Sequence, residues 1–348
     1  MRSLRLLFVV VLLCYFSLAD DKPALTFVQI TDAHVFDDGW NQPVDTGYKS
    51  VGDDWSSFHW AIQQINEMVR SGEHIDFVVY TGDFGLSNVE LHKDCLVVPT
   101  KVDPKGLPPI RNEWAVRKLA SELNTLAVNT VYFVAGNNDL SREAVTDAGR
   151  PKCFVKLVEY ELESLTPASA VHFSTLRSTS AVSLNGFRLV GFNSASFKDD
   201  TNYKDDCPLA GDGCPDVEIA SLQTMVSASS SEPILLFTHI PDLVDPYRKR
   251  PNWKINDEVR KEWKAAACDK EIAGIFAGHF HDSGRNLYGT TTGTASLVVP
   301  GSECVAKKTW VTPPLSIKNQ IGKSPTARGL SVVRIFKDGQ VKADVRWY

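Results

Sequence analysis

Five short apolar runs in this 348-residue chain each end in residues of the kind that hold metal ions. Ala24–Ile30 runs into Thr31-Asp32-Ala33-His34, and Phe77–Tyr80 into Thr81-Gly82-Asp83. Val131–Ala135 leads to Gly136-Asn137-Asn138-Asp139, Ile234–Phe237 to Thr238-His239, and Ile272–Ala277 to Gly278-His279-Phe280-His281. A short apolar run without helical periodicity reads as a buried strand. Side chains just beyond the carboxyl ends of strands in open α/β sheets are where ligands gather. Asp32, His34, Asp83, Asn137, His239, His279 and His281 can therefore meet at one place, although they come from distant segments.

Their chemistry narrows the ion. Carboxylate, carboxamide and imidazole donors without thiolate suit Mn, Fe, Zn, Co or Ni and do not make a cysteine-built structural zinc site. Seven donors exceed what one tetrahedral ion takes. They suit two ions about 3.5–4 Å apart sharing a carboxylate, an arrangement suited to in-line displacement at phosphorus. A single Asp-x-His or Gly-Asp is usually only a turn or a cap. Five such pieces in order, each at a strand end, are hard to reach by accident.

These pieces, D-x-H, G-D, G-N-x-D, a lone H and G-H-x-H, resemble the calcineurin-like metallophosphoesterase superfamily over Asp32–His281. The resemblance implies an α/β fold, a four-layer α-β-β-α sandwich of two mixed β-sheets flanked by helices. It implies that Asp32, His34 and His281 hold one metal, that Asn137, His239 and His279 hold the other, and that Asp83 bridges them. Two divalent ions, Fe, Mn or Zn, are the expected cofactors. The sequence departs from the family at Asn138, where a histidine usually assists the leaving group. Asn donates hydrogen bonds but has no titratable proton near neutral pH. Asp139, which in the family orients that histidine, is kept, so Asn138 and Asp139 are the candidate catalytic residues. Purple acid phosphatases, a branch with a tyrosine ligand three residues after the G-D aspartate, are not resembled, since Leu86 stands there.

The N-terminus resembles a secretory signal over residues 1–19. Arg2 and Arg5 precede the apolar stretch Leu6–Leu13, and Ser17-Leu18-Ala19 offers small residues before a cut after Ala19. The stretch is too short for a confident membrane span. Export, to the outside or to a bacterial periplasm, is expected, with no membrane span left after signal removal. The cut would remove Cys14 and leave Cys95, Cys153, Cys207, Cys214, Cys268 and Cys304, an even set that favours disulfides in an exported chain. Cys207–Cys214 is the best local pair, and Cys95–Cys153 with Cys268–Cys304 is the pairing we expect for the rest.

Residues 20–348 are read as a single domain and a monomer. The net charge of −5 and the lack of a basic run argue against long nucleic acids as partners. Helical spacing of Phe58, Ile62, Ile65, Met68 and Val69 predicts a helix after Asp54, with Ser56 or Ser57 as its cap. A second helix is predicted over Glu113–Asn124. Between them, Phe84–Asn112 is rich in Pro and Gly and reads as a binding loop or lid. Its His92, and Arg285 beyond His281, are candidate substrate contacts, with a surface reading open for both. Asn185-Gly186 and Asp338-Gly339 mark hairpins over Ala181–Phe192 and Ser331–Trp347. Tyr247, Trp253 and Trp263 are either ring platforms or packed residues. The expected function is a secreted phosphoesterase acting on phosphomonoesters or small, nucleotide-like phosphodiesters by attack of a metal-bridging hydroxide. The alternative is a catalytically weak metal-binding or interaction module on the same scaffold, because of Asn138.

Overall fold

The structure is a computed structural model. It describes residues 22–35, 48–49, 54–85, 95, 113–140, 150–162, 171–197, 215–228, 231–241, 262–263, 265–269, 271–281, 309–316, 319–320 and 327–348. The signal segment, most of the Phe84–Asn112 loop with His92, the Cys207–Cys214 loop, Tyr247, Trp253 and Arg285 lie outside the described residues.

The apolar runs that precede the candidate ligands are strands. They are β1 (Leu25–Ile30), β3 (Phe77–Tyr80), β4 (Thr130–Phe133), β8 (Ile234–Thr238) and β9 (Ile272–Ala277), and β2 is the short Tyr48–Lys49. The remaining strands are β5 (His172–Thr175), β6 (Val182–Leu184), β7 (Phe187–Phe192), β10 (Thr309–Val311), β11 (Asn319–Gln320), β12 (Gly329–Ile335) and β13 (Val341–Trp347). One six-stranded sheet runs β13-β12-β1-β3-β4-β5, and a five-stranded sheet runs β10-β9-β8-β7-β6. Both are mixed. β1, β3, β4 and β5 are parallel and β12 and β13 antiparallel, while β10, β9, β8 and β7 are parallel with β6 antiparallel.

Strands covered on both faces read as continuous apolar runs, which is why period two is weak in them. The two sides of β1 show where its side chains go. Leu25 and Phe27 pack into a core shared by both sheets with Phe77, Phe237, Phe276 and Trp310. Val28 and Ile30 face the other way, into a core with α1 (Asp54–Arg70) and α2 (Glu113–Leu123). The second sheet has its own outer core, where Phe192, Leu236 and Ile275 meet Leu222 of α4 (Pro215–Ser227). Between α2 and α4 along the chain, α3 (Arg150–Lys156) continues into a π-helical turn over Leu157–Leu162 and packs on the first sheet's outer core. The layers are thus helix, sheet, sheet, helix.

The expected helix after Asp54 buries Phe58, Ile62, Ile65 and Met68, while Val69 is half-buried. It begins at Asp54, so Ser56 and Ser57 are not its cap; Ser57 Oγ instead donates to the Leu315 carbonyl at 2.5 Å. The first hairpin turns with both Asn185 (φ 51°) and Gly186 (φ 82°) in the left-handed region, as a type I′ turn requires. The second hairpin forms between β12 and β13, but only Gly339 has positive φ and the turn spans Phe336–Gln340, closed by Phe336 N donating to Gln340 O. Trp263 is fully buried and stacked on Phe192 at 4.2 Å, a packed residue. Cys95 and Cys153 form a disulfide, joining the loop after β3 to α3. Cys268 is also disulfide-bonded. No helix among the described residues is long and apolar enough to cross a membrane.

Candidate metal centre

The carboxyl ends of β1, β3 and β4 in one sheet and β8 and β9 in the other converge, and they bring all seven expected ligands together. Two groups of three form, Asp32 with His34 and His281, and Asp83 with His239 and His279, each with its ligand atoms within 4.8 Å of one another. Asp83 Oδ2 lies 3.3 Å from His239 Nε2 in its own group and 3.6 Å from His34 Nε2 in the other. Asn137 Oδ1 is 3.2 Å from His239 Nε2.

The backbone is bent to make this possible. Asp32 (φ 53°), His34 (φ 50°), Asp83 (φ 63°) and His279 (φ 69°) all sit in the left-handed region, which non-glycine residues rarely occupy. Such outliers persist where surrounding structure over-determines them, and they cluster at functional sites. The surrounding bonds are in place. Asp32 N donates to Gly82 O at 2.8 Å and His34 N to Asp83 O at 2.9 Å, lacing the β1 loop to the β3 loop. Tyr80, fully buried, accepts the Ala33 N–H on its hydroxyl at 2.8 Å.

Asp32, His239 and His281 are also aimed. Asp32 Oδ2 is occupied by the Thr31 hydroxyl (2.5 Å) and the His279 N–H (2.8 Å), which leaves Oδ1 facing His281 Nε2 at 3.1 Å. His239 donates from Nδ1 to Thr81 O at 2.7 Å, so its Nε2 is the atom presented to the site. The segment after β10 contributes as well. Leu315 N and Ser316 N donate to Thr31 O and Asp32 O, and Ser316 Oγ lies 3.5 Å from His281 Nδ1. Nothing in the sequence pattern marked Ser316 or Tyr80, because neither belongs to a ligand motif.

The electrostatics are those of a site short of positive charge. Asp32 and Asp83 are 0% and 2% exposed. Burial pushes both carboxyls up, but the imidazoles beside them, His239 foremost, outweigh it and hold both below the usual range. Burial would lower His239; the Asp83 and Asp32 carboxylates reverse that and raise it to about 9. Burial, and then the neighbouring His239, push His279 down to about 3. Four imidazoles crowd two buried carboxylates, with His34 Nε2 and His281 Nε2 only 3.2 Å apart. This donor set and charge balance fit divalent cations, which would take the place that protons on the imidazoles otherwise fill.

Asn138 and Asp139 hold these loops. Asn138 donates twice to Asp83, from its backbone N to Oδ1 at 2.8 Å and from Nδ2 to Oδ2 at 2.7 Å. The Asp139 carboxylate accepts the backbone N–H groups of Asp83, Gly85 and Gly136 at 2.9–3.0 Å. These bonds fix the β3 and β4 loops against each other. The two loops touch at Gly136, where a Cβ would run into Asp83. We expect Gly136→Ala to cost about 1–3 kcal/mol or more of stability, the range for overpacking. Chemical denaturation of the metal-free protein measures it, and an unchanged midpoint would refute the close approach.

The family model of calcineurin-like phosphoesterases matches residues 25–283. The chain belongs to the calcineurin-like phosphoesterase family. No curated protein matches it. Among solved structures it is similar to a single mutant of Vps29 from Entamoeba histolytica, at 9% identity over 93% of this chain and 99% of that one, with a TM-score of 0.31. It is also similar to the C-terminal domain of ChiA from Legionella pneumophila, at 9% identity over 72% of this chain and 56% of that one, with a TM-score of 0.23.

Proposed function

We propose that this protein is a dinuclear-metal phosphoesterase that hydrolyses phosphomonoesters or small phosphodiesters. The observation that carries the reading is the placement of Asp83 Oδ2, which lies 3.3 Å from His239 Nε2 of its own three-residue donor group and 3.6 Å from His34 Nε2 of the other. Asp32, His34 and His281 would hold one divalent ion, Asn137, His239 and His279 the second, and Asp83 both. Mn, Fe or Zn suits the donors. When bound, two such ions lower the pKa of a water so that it is nucleophilic near neutral pH, and they offset the charge on the phosphoryl oxygens.

The chain's own residues do the rest. Thr81 keeps the proton of His239 on Nδ1. Thr31 and the His279 N–H hold one oxygen of Asp32, so that the other serves the site. Asn138 steadies Asp83 through two donated bonds and brings no titratable proton. Without an acid at 138, turnover depends on how readily the leaving group departs. That dependence favours activated esters and makes the weak-module reading the one competitor, since the same Asn138–Asp83 bonds would serve a site that only binds. Export after cleavage at Ala19, a single domain over residues 20–348 and a monomeric state complete the proposal. His92 and Arg285 remain the proposed substrate contacts.

Chelation is expected to abolish turnover of a nitrophenyl phosphate or its diester, and two equivalents of Mn²⁺ to restore it. Loss of the chelator effect would refute the metal requirement. Loading should also release protons. His239 without a metal holds its proton up to about pH 9. A ligand must give that proton up, so ion affinity should rise with pH until about 9. Calorimetry at pH 7.5 in buffers of different ionisation enthalpy should show net proton release on loading. Buffer-independent heats would contradict it.

A further inference from the structure

Along the inward face of β1, Leu25 and Phe27 are followed by Gln29, which is fully buried. A carboxamide in that position is costly unless its hydrogen bonds are made. Gln29 Nε2 makes two, to Thr81 Oγ1 at 2.9 Å and to Ala277 O at 3.0 Å. A carbonyl only accepts, so the contact with Ala277 fixes which end of the carboxamide is the nitrogen. Gln29 Oε1 has no hydrogen-bond partner among the described residues. A methionine here would fill a similar volume and carry no orphaned acceptor. Departures of this sort from local optimisation are expected where function requires them.

The partners of Gln29 indicate what is required. Thr81 follows β3 directly and precedes Gly82-Asp83. Ala277 ends β9, in the other sheet, and precedes Gly278-His279. The Thr81 carbonyl accepts the Nδ1–H of His239 at 2.7 Å. The three members of one candidate ion group, Asp83, His239 and His279, thus hang on the two residues that a single buried nitrogen joins. Other polar bonds also cross between the sheets here, from His239 Nδ1 to Thr81 O and from His279 N to Asp32 Oδ2; the Gln29 nitrogen adds a bond from the Thr81 side chain to the last residue of β9.

We propose that Gln29 is a positioning residue for the ion held by Asp83, His239 and His279, tying the end of β3 to the end of β9 across the two sheets. It rests on the two-ion reading above. Asp32, His34 and His281 are also held through Thr31 and the segment around Ser316, so their ion should be affected less.

The test is Gln29→Met in the full chain, titrated with Mn²⁺ by calorimetry, with the Mn²⁺ electron paramagnetic resonance spectrum as a second readout and thermal unfolding of the metal-free protein as a third. Substitutions behind metal ligands typically cost about 10–100-fold in affinity. The expected result is that loss at one of two sites, with a smaller loss at the second, a weaker spin-coupled pair signal, and cooperative unfolding of the metal-free protein. Thr81→Val, which removes the hydroxyl but keeps the carbonyl, should weaken the same site by less. Binding like wild type in Gln29→Met would overturn the proposal. So would equal weakening of both sites, which is what a packing residue gives. If Gln29→Met fails to fold, Thr81→Val decides alone, and wild-type binding by it overturns the proposal. Fewer than two ions on wild-type protein would overturn the two-ion reading and this inference with it.

Discussion

Asp83→Ala is expected to lower phosphoester turnover by at least about 10³-fold while the fold persists. Removing one preorganised electrostatic contact to a transition state costs roughly 10²–10³-fold, and this substitution removes an oxygen shared by two ion groups. Asp83 Oδ2 is 3.3 Å from His239 Nε2 and 3.6 Å from His34 Nε2, so neither group keeps its charge balance. Asn138, which donates to both oxygens of Asp83, also loses its anchor. The core should survive, because Asp83 belongs to none of the three apolar clusters. Turnover, metal content and circular dichroism of the same preparation check this. Near-native turnover in Asp83→Ala would refute the shared-ligand assignment.

Asn138→His is expected to speed esters of poor leaving groups by about 10-fold or more and to leave activated aryl esters little changed. A positioned acid contributes typically about 10²–10⁴-fold, and an alkyl leaving group needs it where a nitrophenolate does not. The position lies against Asp83, and Asp139, which follows it in the chain, is in place to orient an introduced ring. Rates for a series of aryl and alkyl esters measure the slope against leaving-group pKa in both proteins. Equal gains across the series would contradict the idea and direct attention to another acid, with His92 the first to replace.

The ligands were legible in the sequence because two signals coincide there. Buried strands such as Phe77–Tyr80 are bare apolar runs, and the residue types that follow them, Gly82-Asp83 or Gly278-His279-Phe280-His281, have few other reasons to sit at a strand end. The hairpin at Asn185-Gly186 was legible for the same local reason, since those residues tolerate the left-handed region they occupy. The layer behind the ligands was not. Tyr80 acts through Ala33, and Gln29 through Thr81 and Ala277, and sequence spacing carries no trace of such pairings. Gln29 did leave one mark, a polar residue inside an apolar strand, but its meaning required Thr81 and Ala277 to be placed beside it.

The account stands most directly on one titration. Metal-free protein is loaded stepwise with Mn²⁺ while turnover of a nitrophenyl phosphate and its diester is followed against measured metal per chain. The structure predicts little turnover up to one ion and a rise to a plateau at two. A protein that binds two ions and turns over neither ester, or that is fully active with one, would contradict it.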